Sequence, residues 1–106
     1  MEFIDICGAS GSAYRFRRWP TAGKHPPIAG NFVLVAEGSR DVLAIGVTED
    51  LSRAPLVLEA AAKEAELFTR LNISRRTREA EHADLALLHP DAASGLLAQA
   101  GAPMTA

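Results

Sequence analysis

The chain has 106 residues, enough for one domain and not two, and its 48% hydrophobic share is rich in alanine, which fills space but buries little area. Its 11 basic and 13 acidic residues leave a net charge of −2, which is not the global balance of a dedicated nucleic-acid binder. No apolar run approaches the length of a membrane span, and the acidic start has neither the basic nor the apolar part of a signal peptide, so no membrane partner and a cytoplasmic location are expected.

Residues 2–7 and 12–19 alternate as strands around a Gly8-Ala9-Ser10-Gly11 turn, which predicts an N-terminal β-hairpin. In its second strand Tyr14 and Phe16 share one face, leaving Arg15 and Arg17 in water on the other. Cys7 has no partner for an internal disulfide and is expected to pack in the core as a small apolar group. Trp19 is expected to cap the apolar edge of a sheet. Residues 20–29 hold three prolines and read as an irregular connector; His25 within it has no metal-binding spacing.

Residues 31–36 and 42–47 are apolar, branched runs joined by a turn at 37–41, which predicts an antiparallel hairpin. Thr48 or Asp50 can cap a following helix near 50–63, because a side-chain oxygen there accepts from free backbone N–H groups. Residues 66–71 read as a third main strand, with Leu67, Thr69 and Leu71 on one side. A second helix follows over 75–88, capped by Asn72 or Ser74 and stopped by Pro90. Ile73, Thr77, Ala80, Ala83 and Leu87 fall on one side of it at spacings of three and four. The expected core is Phe3, Ile4, Ile6, Phe16, Phe32, Val33, Val35, Val42, Ile45, Val47, Leu56, Leu67 and Leu71. The fold class is thus α+β: an N-terminal β-hairpin plus β-β-α-β-α, with the main hairpin at the centre of a mixed sheet. Residues 1–94 form one domain in this reading, and the Ala/Gly-rich 95–106 a flexible tail.

The Gly30, Ala44-Ile45-Gly46 and Thr48-Glu49-Asp50-Leu51 frame resembles the GIY-YIG nucleases, and the N-terminal hairpin is similar to that of small bacterial stand-alone members. The resemblance implies a divalent-metal-dependent endonuclease fold, in which a hairpin tyrosine helps activate water, a helix arginine steadies the phosphate charge and a glutamate holds the metal. Its positions are substituted here. Phe32 and Ala44 stand for the two tyrosines, Ala54 for the arginine with Arg53 one step away, His82 of His82-Ala83-Asp84-Leu85 for the glutamate, and Ser94 for the supporting asparagine. No catalytic residue, metal site or cofactor is therefore expected.

The reading is a non-catalytic, GIY-YIG-like binding domain for nucleic acid or for a protein partner. The nucleic-acid candidates are Arg15, Arg17 and Arg18, together with Arg75, Arg76 and Arg78 near the start of the second helix, where free N–H donors attract phosphate. Two alternatives stay open. One is a divergent endonuclease using Arg53 and His82 with a divalent ion such as magnesium. The other is a protein-interaction module without nucleic-acid binding.

Overall fold

A computed structural model describes residues 2–19, 27–55 and 64–92. Within them lie five strands, β1 (Phe3–Cys7), β2 (Ala13–Arg18), β3 (Gly30–Ala36), β4 (Val42–Thr48) and β5 (Ala65–Leu71), and one long helix, α1 (Arg75–Leu88). The fold is α+β, and each expected strand is present to within a residue or two at its ends.

The strands form one sheet in the order β1-β2-β5-β3-β4. This corrects the expected topology twice. Every described pairing is antiparallel, so the sheet is not mixed. The β3–β4 hairpin is not central either; among the described strands β4 pairs only with β3, and β5 takes the interior place. The cause is a long register: β5 lies along the whole of β3, from Gly30 opposite Leu71 to Ala36 opposite Ala65. The N-terminal hairpin joins the sheet by a shorter seam, through Arg17 opposite Thr69 and Arg18 opposite Phe68. Trp19 N–H extends that seam by donating to the Leu67 carbonyl at 2.8 Å.

Strand alternation then sorts the core into two layers. On one face Phe32, Leu34, Ala44, Leu51, Ala54 and Leu67 cluster, with Trp19 packed at the edge as expected. On the other face Ile6, Phe16, Val33, Val35, Ile45 and Phe68 meet Leu85 of α1 and Ala92 beyond it. Each fully buried phenylalanine contributes on the order of 1.5–3 kcal/mol by removal from water, and Phe16, Phe32 and Phe68 anchor the layers.

Asp50 caps the turn after β4 by accepting from Ser52 N–H at 2.9 Å, and Leu51–Arg53 form a single 3-10 turn. Residues 56–63 of the expected first helix, with Leu56, lie outside the described residues, as do residues 20–26 with His25, and 93–106 with Ser94 and the tail. Ser74 caps α1 by accepting from Thr77 N–H.

Three expectations about burial are overturned. Phe3 and Leu71 are 46% and 58% exposed rather than core, because the sheet face they share is not covered by α1. Cys7 is exposed on that same strand face. The side of α1 carrying Ile73, Thr77, Ala80, Ala83 and Leu87 points to solvent; Arg78 and Leu85 are the buried positions of the helix.

Candidate functional site

Of the positions where the resemblance would place nuclease chemistry, three meet in one apolar cluster and His82 does not join them. Phe32, Ala44 and Ala54 are brought together, each fully buried in one apolar cluster. The Phe32 ring lies directly over Gly46, where any Cβ would collide with it, so the glycine makes room for the ring. The described side chains of this cluster are all apolar. Arg53 ends the 3-10 turn with an exposed side chain.

His82 belongs to α1, which packs on the opposite face through Leu85. Its Nδ1 is buried without a hydrogen-bond partner among the described residues, and burial pushes its pKa down, which favours the neutral imidazole. His89 caps the helix end through its backbone N–H, which donates to the Leu85 carbonyl at 2.9 Å. Among the described residues no group of three or more His, Cys, Asp or Glu side chains could hold a metal ion.

The polar chemistry of the molecule lies instead in a seam between the sheet and the first half of α1. Asn31 is 1% exposed inside an otherwise apolar strand. Its Nδ2 donates to the Arg78 carbonyl at 2.9 Å, and its Oδ1 accepts from Asn72 Nδ2 at 2.9 Å. Asn72 Nδ2 also donates to Glu81 Oε1 at 3.0 Å, and Arg70 Nε donates to the same carboxylate oxygen at 2.8 Å. The Arg70 guanidinium lies 5.6 Å from the Tyr14 ring centre and reaches the Arg15 carbonyl at 3.3 Å. Arg78, 6% exposed, turns its guanidinium onto the Ile73 carbonyl at 2.8 Å.

A second clasp ties the hairpin turn to the helix. Asp84 accepts from Ser10 N–H at 2.8 Å, Ser10 Oγ at 2.6 Å and Tyr14 Oη at 2.7 Å, while its own carbonyl accepts from Ala9 N–H. These bonds lower the Asp84 pKa, first through Ser10 and then through Tyr14; the Asp84 carboxylate in turn raises the Tyr14 pKa. A tyrosine bonded this way keeps its proton more firmly, which makes it an anchor rather than a base. A Cβ on Gly8 would strike the Asp84 carboxylate, so the clasp needs the bare backbone there.

The nucleic-acid candidates are spread and mostly engaged. Arg15 and Arg17 stand on the exposed hairpin face, paired with Asp5 at 3.0 Å and Glu2 at 3.5 Å. The Arg15 guanidinium also covers the Phe3 ring at 5.7 Å, and it holds Asp5 below the usual carboxylate range. Arg18 pairs with Glu66 at 2.9 Å and lies over Phe68. Arg75 pairs with Glu79 four residues on, at 2.8 Å. Arg78 is turned inward and is not part of an exposed basic surface. Arg76 is exposed, with no ion pair among the described residues.

The exposed side of α1 is the complement of the polar seam. Ile73 just before the helix is 77% exposed, Leu87 76% and Leu88 50%, with Thr77, Ala80 and Ala83 exposed between them. Scattered apolar surface residues are ordinary, whereas a helix side with large apolar groups at both ends and small ones between is a contact surface in form.

Sequence reasoning missed the seam. A signal for it was present: Asn31 interrupts an apolar strand, and a buried amide requires partners. No family model matches the chain, and no curated protein or solved structure matches it.

Proposed function

We propose that this chain is a non-catalytic, GIY-YIG-like binding domain whose partner is a protein, met through the exposed side of α1. The reading rests most on one observation: Ile73 just before α1 and Ala80, Ala83 and Leu87 on it are exposed to solvent, while Arg78, Glu81 and Leu85 face the sheet. The burial of Phe32, Ala44 and Ala54 supports the non-catalytic half, since no water or phosphate contacts a sealed apolar layer.

A nucleic-acid reading has one specific observation in its favour, the exposed Arg76 near the helix N-terminus, where backbone donors and the helix dipole favour an anion. Against it, Arg15, Arg17, Arg18 and Arg75 already face carboxylates that a phosphate would have to displace.

A titration of labelled duplex and single-stranded DNA, from low to physiological salt with magnesium or manganese, separates these. The proposal expects no cleavage and no binding at physiological salt. Salt-dependent binding that disappears on combined Arg15→Ala, Arg17→Ala and Arg76→Ala substitution would move the function to nucleic acid. Metal-dependent nicking abolished by His82→Ala would make it an endonuclease.

A further inference from the structure

We propose that the N-terminal hairpin is a lid, hinged at its base on β5 and latched at its tip by Asp84, which lifts as one unit while β3, β4 and β5 stay paired. Its attachment is concentrated at two places. At the base, Arg17 pairs with Thr69 and Arg18 with Phe68, and Trp19 N–H adds its bond to the Leu67 carbonyl. Toward the tip the described pairing of β2 with β5 goes no further. There the Arg70 guanidinium spans the gap instead, donating to the Arg15 carbonyl at 3.3 Å and lying over the Tyr14 ring. β3 and β5, by contrast, are paired along their whole length, from Gly30 opposite Leu71 to Ala36 opposite Ala65.

At the tip one residue of α1 holds the turn. Asp84 Oδ1 accepts from Ser10 N–H, Oδ2 accepts from Ser10 Oγ and Tyr14 Oη, and the Asp84 carbonyl accepts from Ala9 N–H. Hydrogen bonds to an ionised acceptor are the stronger kind, so this single carboxylate is an effective latch. Between tip and base, Ile6 and Phe16 of the hairpin close over Phe68 and Leu85. Lifting exposes that apolar layer, so the open form is a minor state, and the lid governs when the layer meets solvent. The pairing of β1 with β2, from Phe3 opposite Arg17 to Cys7 opposite Ala13, lies within the lid and does not oppose its movement. A detached two-stranded hairpin is marginal in water, so its amides exchange once it has lifted.

Native-state hydrogen exchange on the full chain, read residue by residue in low denaturant, tests this. The amides of β1 and β2 should share one opening free energy, below that of β3. Asp84→Ala should speed exchange in β1 and β2 about ten- to a hundredfold. Tyr14→Phe and Ser10→Ala each remove one bond and should speed the same amides about three- to tenfold, which keeps the test decisive if Asp84→Ala does not fold. Leu34→Val changes the layer on the other face of the sheet, which lifting leaves intact. It should speed β3 several-fold and leave β1 and β2 unchanged. Equal opening free energies for β1, β2 and β3 overturn the proposal, because the hairpin then opens only with the whole fold. So do latch substitutions that leave β1 and β2 unchanged, or a Leu34→Val that speeds them as much as β3. Exchange is measured without DNA or a partner, so it stands or falls apart from the binding reading above.

Discussion

The two sides of α1 depart from the usual amphipathic division. The side against the sheet carries the polar Arg78, Glu81 and His82 beside Leu85, and the exposed side carries the apolar Ala80, Ala83 and Leu87 beside Arg75, Arg76 and Glu79. The departure is possible because the sheet beneath is itself divided. Under the first half of the helix lie Asn31, Arg70 and Tyr14, which satisfy polar groups; under the second half lie Val33, Ile45 and Phe68, which meet Leu85. The helix is held by hydrogen bonds through Arg78, Glu81 and Asp84 and by apolar packing through Leu85 and Ala86, while Ala80, Ala83, Leu87 and Leu88 stay outside.

The sharpest way to break this comparison is to remove the apolar anchor. Leu85→Ala leaves a cavity against Phe68 and Ile45, and the loss in urea unfolding should be about 2–5 kcal/mol. A loss under about 1 kcal/mol would mean that α1 is not held there. The polar anchor should cost less. Asn31→Leu strands the Arg78 carbonyl and an Asn72 donor, for a loss of about 1–3 kcal/mol. A neutral result would show the seam to be incidental.

The pH response sharpens the same contrast. His82 has a folded pKa below its ordinary value, so the unfolded chain takes up a proton first as pH falls. Its contribution is therefore complete above the ordinary histidine value and is lost as pH falls through that value toward the lowered one. Thermal unfolding should drop between about pH 7 and pH 5, and His82→Leu should flatten that slope. Asp84 is also lowered, by Ser10 and Tyr14, so its share persists to more acid conditions and disappears only below the usual carboxylate range. Tyr14→Phe should shrink that second, more acid loss. The smallest effect belongs to the exposed side: Ile73→Glu and Leu87→Glu should each move stability by no more than about 0.5 kcal/mol.

Much of the scaffold was legible in the sequence. Branched runs bounded by turn residues marked β3 and β4, the Tyr14 and Phe16 alternation gave the inward side of β2, and Ser74 before a strong helix former gave the start of α1. Strand order was not legible, since local patterns carry no information on which edge of β3 receives β5. The helix side was misread for a physical reason. Periodicity assigns apolar residues inward by default, and only the polar groups of the sheet, above all Asn31 and Arg70, reverse that default. The candidate site shared this blindness. Phe32, Ala44 and Ala54 meet in one apolar cluster, and His82 lies across the sheet from them because helix placement is a tertiary fact.

Thiol labelling tests this division of the helix most directly. In a Cys7→Ser background, single Leu87→Cys, Ala83→Cys and Leu85→Cys variants are reacted with a maleimide. The account predicts that positions 83 and 87 react within a few-fold of an unfolded control, and that position 85 reacts at least about a hundredfold more slowly, because labelling there requires the helix to detach. Protection at 83 and 87 with rapid reaction at 85 would contradict it.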